Sequence, residues 1–323
     1  MLLVLVAEFE ESPERELHPV PEPRSVRTAD VYFGEPGVSS PRYEAEVALE
    51  KPFVDVLVNA TAYVPGGGTA RNVEVALELA DIRKQLLILG DRSSLVSTPR
   101  PFSKMPIIYE RAFGGTDPDG KYADQRNLIG VGFRGAPPTS LDVATSLPNI
   151  EYPQSPNQPA GFGGIARGWQ PRISFAGTFD ESWLSERWPL LPHDYDSRHN
   201  QTAPTDQQSR ILKGGEEVRL TNLTPDGFWA FRLPRLNIPV WMFYPTREVQ
   251  AELRLDTILI EPDERRVTLT ARAAFPVIRC QGPPSLAVLG HMTRGWLRAM
   301  STRKDFLDWS GTNGVDSTRS CYE

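Results

Sequence analysis

The sequence predicts a mainly β protein whose antiparallel strands form a sandwich-like arrangement, with a long ordered loop segment and a C-terminal helix. Alternating and β-branched apolar runs recur in the first third of the chain and again after residue 215, which suits the two sheets of a sandwich. We therefore divide the chain into a β-rich domain at 1–282, which includes the irregular segment 105–210, a helix at 283–300 and a polar tail at 301–323.

The strands of the first third are predicted from their residue patterns. The chain opens with an apolar run up to Phe9, and residues 53–61 are rich in β-branched side chains before a Pro-Gly-Gly-Gly turn at 65–68. Apolar residues alternate with glutamate and alanine over 73–79, and a further apolar run covers 83–90. We expect the strands at 53–61, 73–79 and 83–90 to form an antiparallel meander with one solvated face.

Strand patterns return after the glycine pair at 214–215. Residues 217–223 alternate and residues 239–244 are apolar. Residues 256–260 and 266–272 flank a polar turn, which predicts a hairpin. Near the C-terminus, Ser285 precedes leucine, tryptophan and methionine residues at roughly helical spacing, and this pattern predicts the helix.

The segment 105–210 combines turn-forming residues with aromatic ones. Between Glu110 and Arg210 there are 11 glycines and 11 prolines, a composition compatible with disorder. The same stretch holds Trp169, Trp183 and Trp188, and disordered segments are poor in large aromatic residues. We therefore predict ordered irregular structure with one short helix at 180–187, capped by Asp180 and with Trp183 facing inward.

Composition excludes several classes of protein. The 323 residues carry a formal net charge of −6, which gives no electrostatic support for binding nucleic acid or an anionic membrane. The two cysteines, Cys280 and Cys321, belong to no metal-binding or redox motif. The apolar start lacks a positively charged region before it, and no window approaches the ~18 apolar residues of a membrane span. We expect a cytoplasmic protein.

Titratable residues suggest loop bracing rather than catalysis. His193 and His199, with nearby carboxylates, are candidates for a metal site, but their spacing matches no metal motif. No nucleophile lies beside the Glu110–Arg111 pair. We therefore predict no catalytic residue, metal or cofactor, and assign structural ion-pair and loop-bracing roles to Glu110, Arg111, Asp180, Glu181, Arg187, Asp194 and Asp196.

A partner surface is predicted on the loop segment, because binding residues concentrate on loops held by a rigid scaffold. Arginine and tryptophan are enriched at protein–protein hot spots, and the stretch 167–172 holds two arginines and a tryptophan. The predicted contact residues are Arg167, Trp169, Arg172, Phe162 and Tyr195. A sugar-binding platform made of Trp169, Trp183 or Trp188 stays open as an alternative. So does a hydrolase that uses Glu110, Asp180, Glu181 or Asp194.

Ordered sequence blocks between residues 51 and 233 carry a family resemblance. They are 104–115 (KMPIIYERAFGG), 127–132 (NLIGVG), 147–151 (LPNIE), 159–164 (PAGFGG), 177–183 (GTFDESW), 186–187 (ER), 191–196 (LPHDYD), 203–207 (APTDQ) and 220–227 (LTNLTPDG). With these blocks the chain resembles the domain-of-unknown-function family 2169, whose genes lie beside type VI secretion spike and effector genes. The resemblance implies a non-enzymatic adaptor or chaperone.

The resemblance also implies the partner. Such adaptors are thought to bind a secreted effector, often through its PAAR-like tip domain, and to help load it on the spike, so the spike protein is a further candidate partner. The family has no established catalytic residues, and none is transferred to this chain. Exposed sheet edges are a second route to binding, because an unpaired edge accepts a partner's strand.

Overall fold

The computed structural model describes residues 2–22, 24–134, 145–236, 238–244, 248–275 and 286–290. Its strands are β1 (Leu2–Glu11), β2 (Leu17–Pro19), β3 (Val31–Tyr32), β4 (Pro41–Tyr43), β5 (Val54–Val58), β6 (Thr61–Tyr63), β7 (Asn72–Leu79), β8 (Ile82–Leu89), β9 (Lys104–Pro106), β10 (Phe113–Gly114), β11 (Val131–Gly132), β12 (Ile150–Glu151), β13 (Gln208–Ser209), β14 (Glu217–Thr221), β15 (Phe228–Arg232), β16 (Pro239–Phe243), β17 (Glu248–Glu252), β18 (Arg254–Glu261), β19 (Arg266–Ala274) and β20 (Leu286–Leu289). The prediction of a mainly β protein is confirmed.

Helical structure in the described residues is short. The α-helix α1 covers Glu181–Glu186, and the predicted cap at Asp180 is confirmed by its side chain, which accepts a hydrogen bond from the Trp183 amide. The 3-10 helices are Pro65–Gly67, Tyr109–Arg111, Arg172–Phe175, Ser197–Asn200 and Thr205–Gln207. No helix in the part of the chain that the structure describes is long and apolar enough to cross a membrane.

The larger sheet has six strands in the order β13-β5-β18-β19-β1-β2. The hairpin predicted at 256–272 is confirmed as the antiparallel pair β18–β19. Strand β5 pairs in parallel with β18, whereas the other four pairs are antiparallel. The N-terminal strand pairs with β19 along nine residues, from Leu2 opposite Ala274 to Glu10 opposite Arg266.

The second sheet has five strands in the order β12-β8-β7-β14-β15, all antiparallel. The predicted pairing of β7 with β8 is confirmed. Including β5 in the same meander was wrong, because β5 lies in the other sheet between β13 and β18. All five residues of β5 are buried, which is typical of a strand that is covered on both faces.

The core receives side chains from both sheets. Val56, Ile258 and Leu269 of the six-stranded sheet belong to the same buried cluster as Leu77 and Leu220 of the five-stranded sheet. All five side chains are completely buried. A shared core of this kind is expected when two sheets pack as layers. The sandwich-like arrangement itself stays a prediction.

The C-terminal helix is contradicted where it can be checked. Strand β20 pairs antiparallel with β16, and β17 pairs with the other edge of β16 in a three-stranded sheet. The sequence Leu-Ala-Val-Leu is compatible with either a helix or a strand. Pairing with β16 provides hydrogen-bond partners for its backbone groups in the strand conformation. The rest of the predicted helix, at 283–285 and 291–300, and the tail at 301–323 lie outside the described residues.

Candidate functional site

One stretch of the loop region lies almost wholly on the surface. Between the buried residues Arg172 and Asn200, Pro192 is the only buried residue. We call residues 173–199 the exposed segment. It contains five acidic residues and two arginines, so its local charge has the same sign as that of the whole chain.

Hydrogen bonds clasp the two ends of the exposed segment. The buried Arg172 guanidinium donates to the His199 carbonyl at 3.0 and 3.1 Å, and the His199 ring nitrogen Nδ1 lies 2.9 Å from the Arg172 carbonyl. Arg172 also donates to the Ile165 carbonyl and forms a 2.5 Å ion pair with Glu44. Because a buried guanidinium needs its charge and donors satisfied, Arg172 ties the base of the segment to the body of the protein.

Within the segment, polar side chains hold the backbone. Asp194 accepts from the Thr178 amide at 2.9 Å and from its hydroxyl at 2.7 Å, and these hydrogen bonds lower the pKa of Asp194. The Trp183 indole donates to the Leu190 carbonyl at 2.8 Å, and Asp180 caps α1. The chain on both sides of α1 is therefore braced without the support of a buried core.

The second half of the segment is braced in the same way. Asp196 accepts from the Arg198 amide at 2.8 Å and pairs with the Arg198 guanidinium at 2.6 Å. The hydrogen bonds from Arg198 lower the pKa of Asp196. The Arg198 guanidinium also lies over the Phe175 ring, 4.1 Å from its centroid. These contacts join the 3-10 helices at the two ends of the segment.

Apolar side chains crowd the outer surface of this braced segment. The Phe179 and Trp183 rings meet edge to face with centroids 4.8 Å apart, and the Trp188 amide donates to the Trp183 carbonyl. Five exposed large apolar residues lie within 179–191, namely Phe179 (56%), Leu184 (61%), Trp188 (65%), Leu190 (59%) and Leu191 (40%). We call these five residues the apolar cluster. Single exposed apolar residues are ordinary, whereas large contiguous apolar patches are typical of interaction surfaces.

The structure places the predicted contact residues differently. Phe162 and Trp169 are buried in the core, and Arg172 is buried at the base of the exposed segment. The assumption that these three side chains face a partner is wrong, because core packing and ion pairing have removed them from the surface. Arg167 is partly exposed and pairs with Glu44 at 3.0 Å.

Tyr195 is the other predicted contact residue. Its side chain is half-buried, and its hydroxyl donates to Asn200 at the base of the exposed segment. Burial raises the pKa of Tyr195. Tyr195 therefore supports the fold of the segment, and only part of its surface is accessible.

Three more of the predicted bracing residues, Glu110, Arg111 and Arg187, hold loops. Glu110 accepts from the amide and the hydroxyl of Ser40, each at 2.7 Å. Arg111 pairs with Asp91 at 3.2 Å, and Arg187 donates to the Leu191 carbonyl. These groups are anchored at separate points along the chain, which is an arrangement for positioning loops.

The carboxylates named for the hydrolase alternative, Glu110, Asp180, Glu181 and Asp194, do not form one group. Glu110 binds the Ser40 amide, whereas Asp180 and Asp194 accept from the Trp183 and Thr178 amides of the exposed segment. The predicted bracing role of Glu181 is wrong, because its side chain is exposed and has no hydrogen bond or ion pair with any residue that the structure describes. In the described ranges, no group of three histidine, cysteine or carboxylate side chains is arranged to hold a metal ion.

The apolar cluster was not among the predicted contact residues, although the sequence carries a signal for it. Residues 188–191 (WPLL) place three large apolar residues in four positions, outside any alternating or helical pattern that would bury them. The tryptophans that indicated ordered structure differ in exposure, because Trp169 is buried and Trp188 is exposed. Tertiary packing decides which tryptophan of the loop segment is covered.

Fold and site together define a class of protein, namely a mainly β scaffold that presents a braced apolar segment on its surface. The chain belongs to the family described as "Uncharacterized protein conserved in bacteria (DUF2169)", whose model matches residues 1–272. Neither the search of curated proteins nor the search of solved structures finds a match.

Proposed function

We propose that this protein is a cytoplasmic, non-enzymatic adaptor that holds a client protein through the apolar cluster. Following the family resemblance, the client is a type VI secretion effector, bound by its PAAR-like tip domain and delivered to the spike. The observation that carries the proposal is the placement of five large, exposed apolar side chains on one short segment. Tryptophan is among the residues most enriched at binding hot spots.

The bracing of the exposed segment supports this role energetically. A loop that becomes ordered only on binding loses conformational entropy, which weakens the complex. Here Asp180, Asp194 and the Trp183 indole already fix the backbone that carries the apolar cluster. The surface is therefore organised before the client arrives.

The charge around the apolar cluster indicates which charge the client's binding surface should carry. Acidic residues outnumber arginines in the exposed segment by five to two. Electrostatic complementarity favours a client surface with an apolar centre and a basic rim. Binding through such a rim weakens with added salt, because exposed charge pairs are screened.

The experiment is a co-purification of this chain with the effector encoded beside it. We compare the wild type with the double variant Leu184→Ser/Trp188→Ser and with the control Leu95→Ser/Ile211→Ser. The control residues are equally exposed apolar side chains outside the exposed segment. We expect the first variant to bind at least tenfold more weakly, a loss of about 1.4 kcal/mol or more, and the control to bind like the wild type.

Two outcomes contradict different parts of the proposal. If the wild type binds neither the effector nor any spike or tip protein, the adaptor function is wrong. If both variants bind as tightly as the wild type, the function stands and the assigned surface is wrong. Binding of an oligosaccharide that Trp188→Ser abolishes would instead favour the sugar-binding alternative, since Trp188 is exposed.

A further inference from the structure

The outer edge of β15 is unpaired among the residues that the structure describes. β15 ends the five-stranded sheet and pairs only with β14. The Leu233 amide and carbonyl bond to Glu216 and Gly215 on the β14 side, at 2.9 and 2.8 Å. Since backbone groups alternate in direction along a strand, the groups that point to the open edge are those of Phe228, Ala230 and Arg232.

The inner face of β15 keeps this edge rigid. The Trp229 indole donates to Glu11 at 2.7 Å, and the Arg265 guanidinium lies 5.1 Å from the Trp229 ring centroid. Trp229 and Phe231 are buried in the core with ring centroids 4.3 Å apart. The strand is therefore held in an extended form with its edge ready to pair.

Most devices that protect an exposed edge are missing from β15, whose one charged side chain is Arg232 at the end of the strand. Natural edges are shielded by proline, lysine, bulges or inward-pointing charges. β15 has the sequence Phe-Trp-Ala-Phe-Arg and pairs with β14 in continuous register, without a bulge. An open, regular, aromatic-rich edge of this kind is a template for another strand.

The side chains along the edge are complementary to themselves. If two copies of β15 pair antiparallel with Ala230 opposite Ala230, each Phe228 faces the Arg232 of the other copy. An aromatic ring opposite a guanidinium is a favourable cross-strand pair, and the two-fold axis creates it twice. On the inner face the same register sets Trp229 opposite Phe231. This register pairs all five residues of β15.

From this complementarity we propose that the chain forms a two-fold homodimer by pairing β15 with β15 of a second copy, in the register centred on Ala230. The two five-stranded sheets then form one continuous ten-stranded sheet. The proposal is independent of the client-binding role, because β15 and the apolar cluster share no residues.

A disulfide across the two-fold axis tests the register. In a background without the native cysteines (Cys280→Ser/Cys321→Ser), Ala230→Cys places one thiol at the axis. Its backbone groups face the edge, so the pair is hydrogen-bonded with Cα atoms about 5.5 Å apart, within disulfide range. Under mild oxidation we expect most of the Ala230→Cys chain to form covalent dimer. Thr221→Cys, exposed on the neighbouring strand β14, is expected to stay monomeric on denaturing gels.

A charge substitution tests the dimer without crosslinking. Ala230→Glu sets two carboxylates opposite each other in the dimer, whereas in the monomer the new glutamate faces Arg219 across the β14–β15 pair. By light scattering at tens of micromolar, we expect a dimeric wild type and a dissociation constant at least tenfold higher for Ala230→Glu. Thr221→Glu is the control and should remain dimeric. Circular dichroism checks that each variant is folded.

Three results overturn the proposed β15–β15 dimer. They are a monomeric wild type, crosslinking of Ala230→Cys no greater than that of Thr221→Cys, and a dimer that Ala230→Glu leaves unchanged. If the edge instead takes a strand from the effector, the wild type is monomeric alone and Ala230→Glu weakens effector binding. If the dimer and the client surface are both as proposed, Ala230→Glu still binds the effector and Leu184→Ser/Trp188→Ser still dimerises.

Discussion

Lys84 on β8 donates a hydrogen bond to Gln207, with 2.7 Å between Nζ and Oε1, inside the protein. The Gln207 amide then donates to the carbonyls of Val56 and Phe162 at 2.6 and 2.9 Å. Lys84 also pairs with Asp206 at 2.9 Å. The Lys84–Gln207 contact thus joins the five-stranded sheet to β5 of the six-stranded sheet through polar atoms in an apolar interior.

Replacing Lys84 with methionine should destabilise the protein. Methionine fills similar space but leaves the completely buried Gln207 carbonyl oxygen without this donor. A buried polar atom without a partner costs roughly 1–3 kcal/mol in unfolding free energy. Urea unfolding measures the loss, with Arg83→Met on the exposed face of the same strand as control. Equal stability of the two variants would mean that the buried contact contributes nothing.

The same lysine predicts a pH dependence of stability. Burial lowers the pKa of Lys84 from 10.5 to about 8, so between these values the unfolded chain holds a proton that the folded chain has released. The unfolding free energy of the wild type relative to Lys84→Met should therefore rise as the pH increases from about 8 to about 10.5. Urea unfolding at several pH values measures the difference. A constant or falling difference would contradict the lowered pKa.

Removing the cap of α1 should loosen the exposed segment locally. Asp180→Ala deletes the side chain that accepts from the Trp183 amide, and loss of such a cap costs about 1 kcal/mol. Amides at 183–187 should then exchange with solvent roughly fivefold faster, since the capped helix opens more often. Glu186→Ala, at the other end of α1, is the control. An unchanged exchange rate in Asp180→Ala would mean that other contacts hold the helix.

Stability should separate the buried aromatic residues from the exposed ones. Phe162→Ala removes a completely buried ring and should lower the unfolding free energy by roughly 3–5 kcal/mol. Trp188→Ala alters an exposed ring and should change it by less than about 0.5 kcal/mol. Thermal or urea unfolding of both variants provides the comparison. A large loss for Trp188→Ala would place that ring in a packed environment and count against its availability to a client.

Much of the secondary structure could be predicted from the sequence, because local pattern determines it. The alternation over 73–79 predicted β7, and the polar turn between 261 and 266 predicted the β18–β19 hairpin. Asp180, a residue type that commonly caps helices, predicted the start of α1. Four apolar residues at 286–289 carry too little periodicity to distinguish helix from strand. Their pairing with β16 decided the outcome.

The candidate site was harder to predict than the strands. The loop region was predicted as the place of binding, but Trp169 and Trp188 of this one segment have opposite exposure. The exposure of Arg172 could not be predicted either. Its local sequence is typical of a surface arginine, but its guanidinium is buried in an ion pair with Glu44. The contact between Arg172 and Glu44 joins residues 128 positions apart, and no local pattern records it.

By itself, the sequence determined the mainly β class, most strand positions, the capped helix and the family, since each depends on residue order within a short window or on matching blocks. Tertiary structure alone decided that β5 joins the six-stranded sheet, that Lys84 links both sheets, and which tryptophan faces solvent. The physical reason is that burial and pairing are properties of whole surfaces brought together by folding. A strand pattern predicts that one face of the strand will be buried, but only the folded chain determines which neighbouring strands and side chains bury it.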